Sequence, residues 1–88
     1  MKSRASRRFW ERFDSLPRDV QTIARRAFRL WQDDPWHPSL HFKQLRPGRW
    51  SARVGMSYRA LASTEGDGVI LWFWIGSHAE YNRLVNTH

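Results

Sequence analysis

The 88-residue sequence contains no cysteine, which excludes a disulfide framework, a thiol nucleophile and a cysteine-based zinc site. Long apolar runs are also missing. The longest, Val69 to Ile75, falls far short of the ~20 residues that cross a bilayer, and the N-terminal MKSRASRRF lacks a signal-peptide apolar core; a cytoplasmic location is expected, without membrane contact. Gly, Ser and Pro never cluster into a linker, and no repeat or low-complexity segment occurs, so one domain over residues 1–88 is expected. Lysine is scarce too. Thirteen of the fifteen cationic side chains are Arg, set against eight carboxylates for a net charge of +7. Arg presents a planar fork of donors suited to phosphate, carboxylate and base edges. An anionic partner is expected, and charge alone does not choose between nucleic acid and acidic protein.

What is abundant is aromatic: six Trp and five Phe in so short a chain, the large side chains a small core needs. Phe9, Trp10, Phe13 and Leu16 recur at helical spacing with Ser6 as N-cap. A second helix follows at once, with Pro17 at its first position, Asp19 in its first turn, and an apolar stripe of Val20, Ile23, Ala24, Ala27, Phe28 and Trp31. Asp33-Asp34-Pro35 ends it. After Trp36-His37-Pro38 the period changes. His41 to Leu45 reads as a short extended run, Pro47-Gly48 as a turn, and Trp50 to Ser63 as one long strand with a bulge at Gly55. Thr64 to Gly68 forms a hairpin turn, and Val69 to Ile75, apolar in both phases, is expected to be the central strand, covered on both faces. His78 to Val85 closes the chain with one helical turn or two. The expected class is α+β: an N-terminal helical hairpin packed on one face of a small antiparallel sheet.

Within the long strand, Trp50, Ala52, Val54, Tyr58, Ala60 and Ala62 share the core phase, and Arg53 and Arg59 share the other. Two arginines on one open sheet face suit a phosphate; ordinary solvated residues paired with Glu65 or Glu80 are the alternative. His78 stands where the last strand leaves the sheet, two residues past Gly76, whose backbone freedom lets the chain turn. An imidazole there can donate or accept a proton near neutral pH, unless Ser77-His78-Ala79-Glu80 merely opens a helical turn with Ser77 as cap. Tyr81 lies one turn beyond His78. Lys43, Arg46 and Arg49 flank the Pro47-Gly48 turn and extend a candidate RNA-binding surface, or simply collect charge at a turn. His37 and His41 lack a third metal ligand. Trp72 and Trp74 share a strand phase; burial of most tryptophans in the core is expected over a base-stacking platform.

Several of these stretches together resemble the RelE/ParE superfamily of bacterial type II toxins: the Leu16-Pro17 helix break, the Asp34-Pro35-Trp36-His37-Pro38 corner, the strand region Trp50 to Leu61, and the closing Trp74-Ile75-Gly76-Ser77-His78-Ala79-Glu80-Tyr81. The resemblance covers nearly the whole chain. It implies a small toxin held inactive by an acidic, partly disordered antitoxin. Enzymatic members are ribosome-dependent mRNA endonucleases that turn the 2′-hydroxyl on the adjacent phosphate, which implies the ribosome and mRNA as partners, translation inhibition as outcome, and neither metal nor cofactor. Carried onto this sequence, His78 matches the acid or base of some members, and Arg53 and Arg59 the phosphate-holding arginines; Tyr81, near His78 by helical spacing, is the further catalytic candidate. Other members poison DNA gyrase without being enzymes, and a non-catalytic nucleic-acid or protein-binding module of the same fold is a third reading. One departure stands out: MKSRASRR does not alternate, so the N-terminal strand of many members is expected to be short or absent here.

Overall fold

The computed structural model describes residues 1–86. Helix α1 (Arg7–Asp14) begins at Ser6, whose hydroxyl accepts the Phe9 N–H at 3.2 Å and whose own N–H donates to the Trp72 carbonyl at 2.9 Å. The cap therefore also ties the helix to the sheet. Helix α2 (Arg18–Asp33) follows, with Pro17 one position outside it as the cap residue. Gln21 donates its side-chain amide to the carbonyls of Phe13 and Leu16, at 3.1 and 3.2 Å, which ties α2 to the chain at the end of α1. Of the α2 stripe, Val20, Ala24 and Trp31 are buried, while Ile23 and Phe28 stay exposed at its margins.

Five strands form one sheet: β1 (Ser3–Ala5), β2 (Lys43–Arg46), β3 (Arg49–Val54), β4 (Tyr58–Thr64) and β5 (Ile70–Ser77), in the order β1-β5-β4-β3-β2. The expected α+β architecture holds, with the helical hairpin on one face of the sheet. Three features differ from the sequence reading. The N-terminal strand is present, only three residues long, and runs parallel to β5. Trp50 to Ser63 is two strands, because Gly55 adopts φ +63° and turns the chain instead of bulging it. Strand β4, not β5, occupies the centre. Two pairing β-strands with alternating core residues read as one long strand whenever the turn between them is short and only one glycine marks it.

The helical face of the sheet carries the core. Ala52, Val54, Ala60, Ala62, Ile70, Trp72 and Ile75 pack beneath Phe13, Ala24 and Trp31, with Trp31 set edge-on to Trp72 at 5.3 Å and to Phe42 at 5.6 Å. Only Trp31 and Trp72 of the six tryptophans are buried; Trp50 and Trp74 are half-buried, and Trp10 and Trp36 are exposed. Burial of most of them is thus not observed. Strand β5 holds a bulge: Ala62 faces Trp72 and Leu61 faces Trp74, which leaves Phe73 as the extra residue. The bulge breaks the expected shared phase of Trp72 and Trp74. Trp72 and Ile75 both reach the core, and Trp74 and Gly76 turn to the open face.

Beyond Trp72, β5 loses its β1 neighbour, and Arg12 takes over that edge. Its Nε donates to the Ile75 carbonyl at 2.7 Å, its Nη2 to Glu80 Oε2 at 3.2 Å, and its guanidinium lies 4.8 Å from the Trp74 ring centre. Glu80 in turn accepts the Ser77 N–H at 2.9 Å, while its own N–H donates to the Ser77 hydroxyl at 3.1 Å. This reciprocal capping box starts helix α3 (His78–Asn86), which packs on β4 and β5. Gly76 is needed here for space, not for backbone freedom: a Cβ would lie 2.6 Å from Trp74 Cζ2 and 2.9 Å from Arg12 Nη2.

Two outcomes follow for stability. Gly76→Ala should cost about 1–3 kcal/mol in chemical denaturation, as overpacking does, and adding Trp74→Leu should shrink that penalty by clearing the ring; a Gly76→Ala protein as stable as wild type would show that the ring yields freely. The Ser77 backbone N–H, with the Ser77 hydroxyl and Arg12 behind it and burial opposing, holds the Glu80 carboxyl below its ordinary range. A depressed folded-state pKa means stability present above the unfolded value of about 4.3 and lost as pH falls through the folded one. Glu80→Gln should therefore melt lower than wild type at neutral pH, with the gap closing in acid.

Candidate functional site

The open face of the sheet is built around a row of three residues. Arg53 on β3 pairs with Arg59 on β4, and Arg59 pairs with Gly76 on β5, so two guanidinium groups stand side by side next to a position with no side chain. Cross-strand neighbours on one face are about 5 Å apart at Cβ, and like charges there repel. No carboxylate among the described residues offsets that repulsion. Among the described residues the ion pairs are Arg7 with Glu11 and Arg12 with Glu80, so neither Glu65 nor Glu80 pairs with the row. Arg59 donates to the carbonyl of its neighbour Tyr58 at 2.8 Å. Arg53 Nε is buried and meets no acceptor among the described residues. Burial, and after it the charge of Arg53, lower the Arg59 guanidinium from the usual arginine range, with Tyr81 acting the other way.

Tyr81, on α3, is buried, and its ring lies 6.3 Å from the exposed imidazole of His78. The His78 backbone N–H donates to the Ser57 carbonyl at 2.7 Å, which clips the start of α3 to the β3–β4 turn. His78 is thus held one pleat beyond Gly76. The sequence-predicted set of Arg53, Arg59, His78 and Tyr81 gathers on one end of one face. The same Ser77-to-Glu80 stretch is also a helix cap, so both readings of it apply: Ser77 and Glu80 build the helix start, and His78 is left exposed.

Lys43 pairs with Ser51 and Arg46 with Arg49. By strand alternation Arg49 and Ser51 share the face of Arg53, with Arg49 four residues along β3, ~13 Å away. All three of Lys43, Arg46 and Arg49 are exposed. They form a basic margin to the row, not part of it. His37 turns Nδ1 toward Ser39, 2.8 Å from its hydroxyl. Among the described residues, no cluster of three or more metal-ligating side chains occurs, and no helix is long and apolar enough to cross a membrane.

Arg12 is the site residue that sequence reasoning missed. It sits among other arginines on α1, 68 residues from Glu80, and nothing local distinguishes it. The Ser77-x-x-Glu80 spacing was the available signal, since a capping box commits Glu80 and so removes it as a partner for the sheet arginines.

The fold has many solved counterparts. YafQ of E. coli superposes with a TM-score of 0.70 over 91% of this chain and 96% of its own, at 13% identity. A chain of the RelB–RelE antitoxin–toxin complex of Methanococcus jannaschii gives 0.68, at 14% identity over 91% and 95%. The YoeB/ParE toxin of Agrobacterium tumefaciens gives 0.67, at 16% identity over 89% and 99%. At these identities the likeness is one of fold. No curated protein sequence matches the chain. The sequence profile of the ParE-like toxin domain does match it, over residues 18–83, from the start of α2 into α3. With three quarters of its length under that profile, the chain belongs to the ParE-like toxin family, within the RelE/ParE superfamily of type II toxin–antitoxin systems.

Proposed function

We propose that this toxin is a ribosome-dependent mRNA endonuclease, restrained by an acidic antitoxin, and that the open face of its sheet is the cleavage site. The observation that carries the reading is the Arg53–Arg59 pair, two adjacent guanidinium groups that have, among the described residues, no carboxylate partner and one buried N–H without an acceptor. An unsatisfied buried donor costs on the order of 1–3 kcal/mol or more when charged, and a bound phosphate removes that cost. Such a pair is matched to the extra negative charge of a pentacoordinate phosphorus. The 2′-oxygen attacks the adjacent phosphorus, the bond to the 5′-oxygen breaks, one proton leaves the 2′-hydroxyl and one reaches the departing 5′-oxygen. His78, exposed at the end of the row, serves one of those transfers. Tyr81 fixes the geometry between His78 and Arg59. Lys43, Arg46 and Arg49 guide the flanking RNA backbone along the sheet margin. The net charge of +7 suits both the ribosomal target and an acidic antitoxin.

Ribosomes programmed with a defined mRNA test these roles. His78→Ala should lower the cleavage rate about a hundred- to ten-thousandfold, and Arg53→Ala and Arg59→Ala each about a hundredfold or more, with melting temperatures close to wild type. Cleavage by His78→Ala at the wild-type rate would remove His78 from the chemistry. Loss of activity in an arginine variant that is itself unfolded would make that residue structural.

A further inference from the structure

Three buried side-chain N–H groups meet no acceptor among the described residues: Nε of Arg53 and the indole nitrogens of Trp31 and Trp72. All three residues line one cavity of about 510 Å³ between the helical hairpin and the sheet. Buried donors without partners are uncommon, and three around one space ask for one explanation. The space itself comes from small side chains. Ala24 and Ala27 on α2, and Ala52 and Ala60 on the sheet, stand among its walls, where larger apolar residues would have closed it. Trp31 and Trp72 are 1% and 5% exposed, with ring centres 5.3 Å apart, so one small molecule spans both. Arg53 meets the cavity where β3 is an edge, since β2 pairs with β3 no farther than Ser51. The cavity and the arginine row therefore share a residue.

We propose that this cavity binds an apolar monocarboxylate, and that its occupation withdraws Arg53 from the row. The free groups are all donors. A water held by them would have to set its own hydrogens against apolar walls, whereas a carboxylate brings acceptors alone. The Arg53 guanidinium supplies the counter-charge that a buried carboxylate requires, and the ligand's apolar body lies against Phe9, Trp10 and Phe28, which line the same space. The size suits a small molecule. Such sites enclose about 300–1,000 Å³, mostly apolar, with a few polar groups that fix orientation. Arg25 and Arg29 line the cavity and are exposed, so they draw an anion toward it. A guanidinium that holds this ligand is not free for a phosphate. Only that consequence rests on the endonuclease reading; the binding site is argued without it.

The test uses the full chain, isotope-labelled for NMR, and three probes: naphthoate, decanoate and the cation naphthylmethylammonium. At least one acid should bind and shift the side-chain N–H signals of Trp31, Trp72 and Arg53, while the Trp36 indole, outside the lining, stays in place. Naphthoate alone would mark the ligand as an aromatic acid, decanoate alone as a fatty acid. Arg53→Ala should weaken the bound acid about tenfold or more, and Arg59→Ala, also outside the lining, should change it little. Ala24→Leu fills the cavity and should abolish binding in a folded chain; Ala27→Leu, at a less buried position, replaces it if the melting temperature falls. Four outcomes overturn the proposal: no binding of either acid, equal binding of the cation, shifts that spare Trp31 and Trp72, or undiminished binding by the filled variants. On programmed ribosomes a saturating acid should slow wild-type cleavage about tenfold or more, and an unchanged rate would overturn the withdrawal of Arg53. Messenger left intact without any acid would refute the endonuclease reading instead, with binding still read by NMR.

Discussion

Arg12 holds together the part of the molecule on which the candidate site depends. Strand β1 pairs with β5 only through Trp72, so the end of β5 would otherwise show solvent an unpaired edge carbonyl at Ile75. One guanidinium covers it, stacks on Trp74 and bonds Glu80, and Glu80 closes the capping box that starts α3. Each contact alone is modest; an exposed cation–π pair contributes about 0.5–1 kcal/mol and a surface ion pair still less. Their value lies in geometry. They fix where β5 ends, and therefore where His78 and Tyr81 stand relative to Arg59.

The same arrangement explains why the arginine row is left unpaired. The chain has eight carboxylates for fifteen cations, and the one carried at the end of β5 is committed to Arg12 and the Ser77 backbone. Arg53 and Arg59 thus repel each other on the sheet face opposite the core. A fold selected for stability alone would place a carboxylate or an apolar residue there. Retaining two arginines that have no carboxylate partner among the described residues, one with a buried N–H that meets no acceptor there, is the local inconsistency expected where a structure meets an anionic ligand.

How much of this the sequence revealed depends on whether the determining contacts are local. Helices α1 and α2 were legible because their apolar residues repeat at helical spacing, and Ser6 and Asp33-Asp34-Pro35 bound them. The shared face of Arg53 and Arg59 was legible from alternation, and it survived the misreading of β3 and β4 as one strand because they face each other across the Gly55 turn. The Phe73 bulge was not legible: Val69 to Ile75 is apolar in both phases, so no polar residue reports where the phase slips. Arg12 was hidden for the opposite reason, since its partners lie at the far end of the chain. The exposed positions of Trp10 and Phe28 were read as core because a helical stripe shows which residues share a face and not how wide a face its neighbours cover.

The central claim is that the open sheet face breaks RNA at a phosphate on the ribosome. Mapping the ends of mRNA exposed to the wild-type toxin on programmed ribosomes, with parallel scoring of gyrase–DNA breaks, tests it most directly. The predicted result is cleavage that leaves a 2′,3′-cyclic phosphate upstream and a 5′-hydroxyl downstream, without gyrase-linked breaks. Intact mRNA together with accumulating gyrase–DNA breaks would contradict it and assign the same fold to gyrase poisoning.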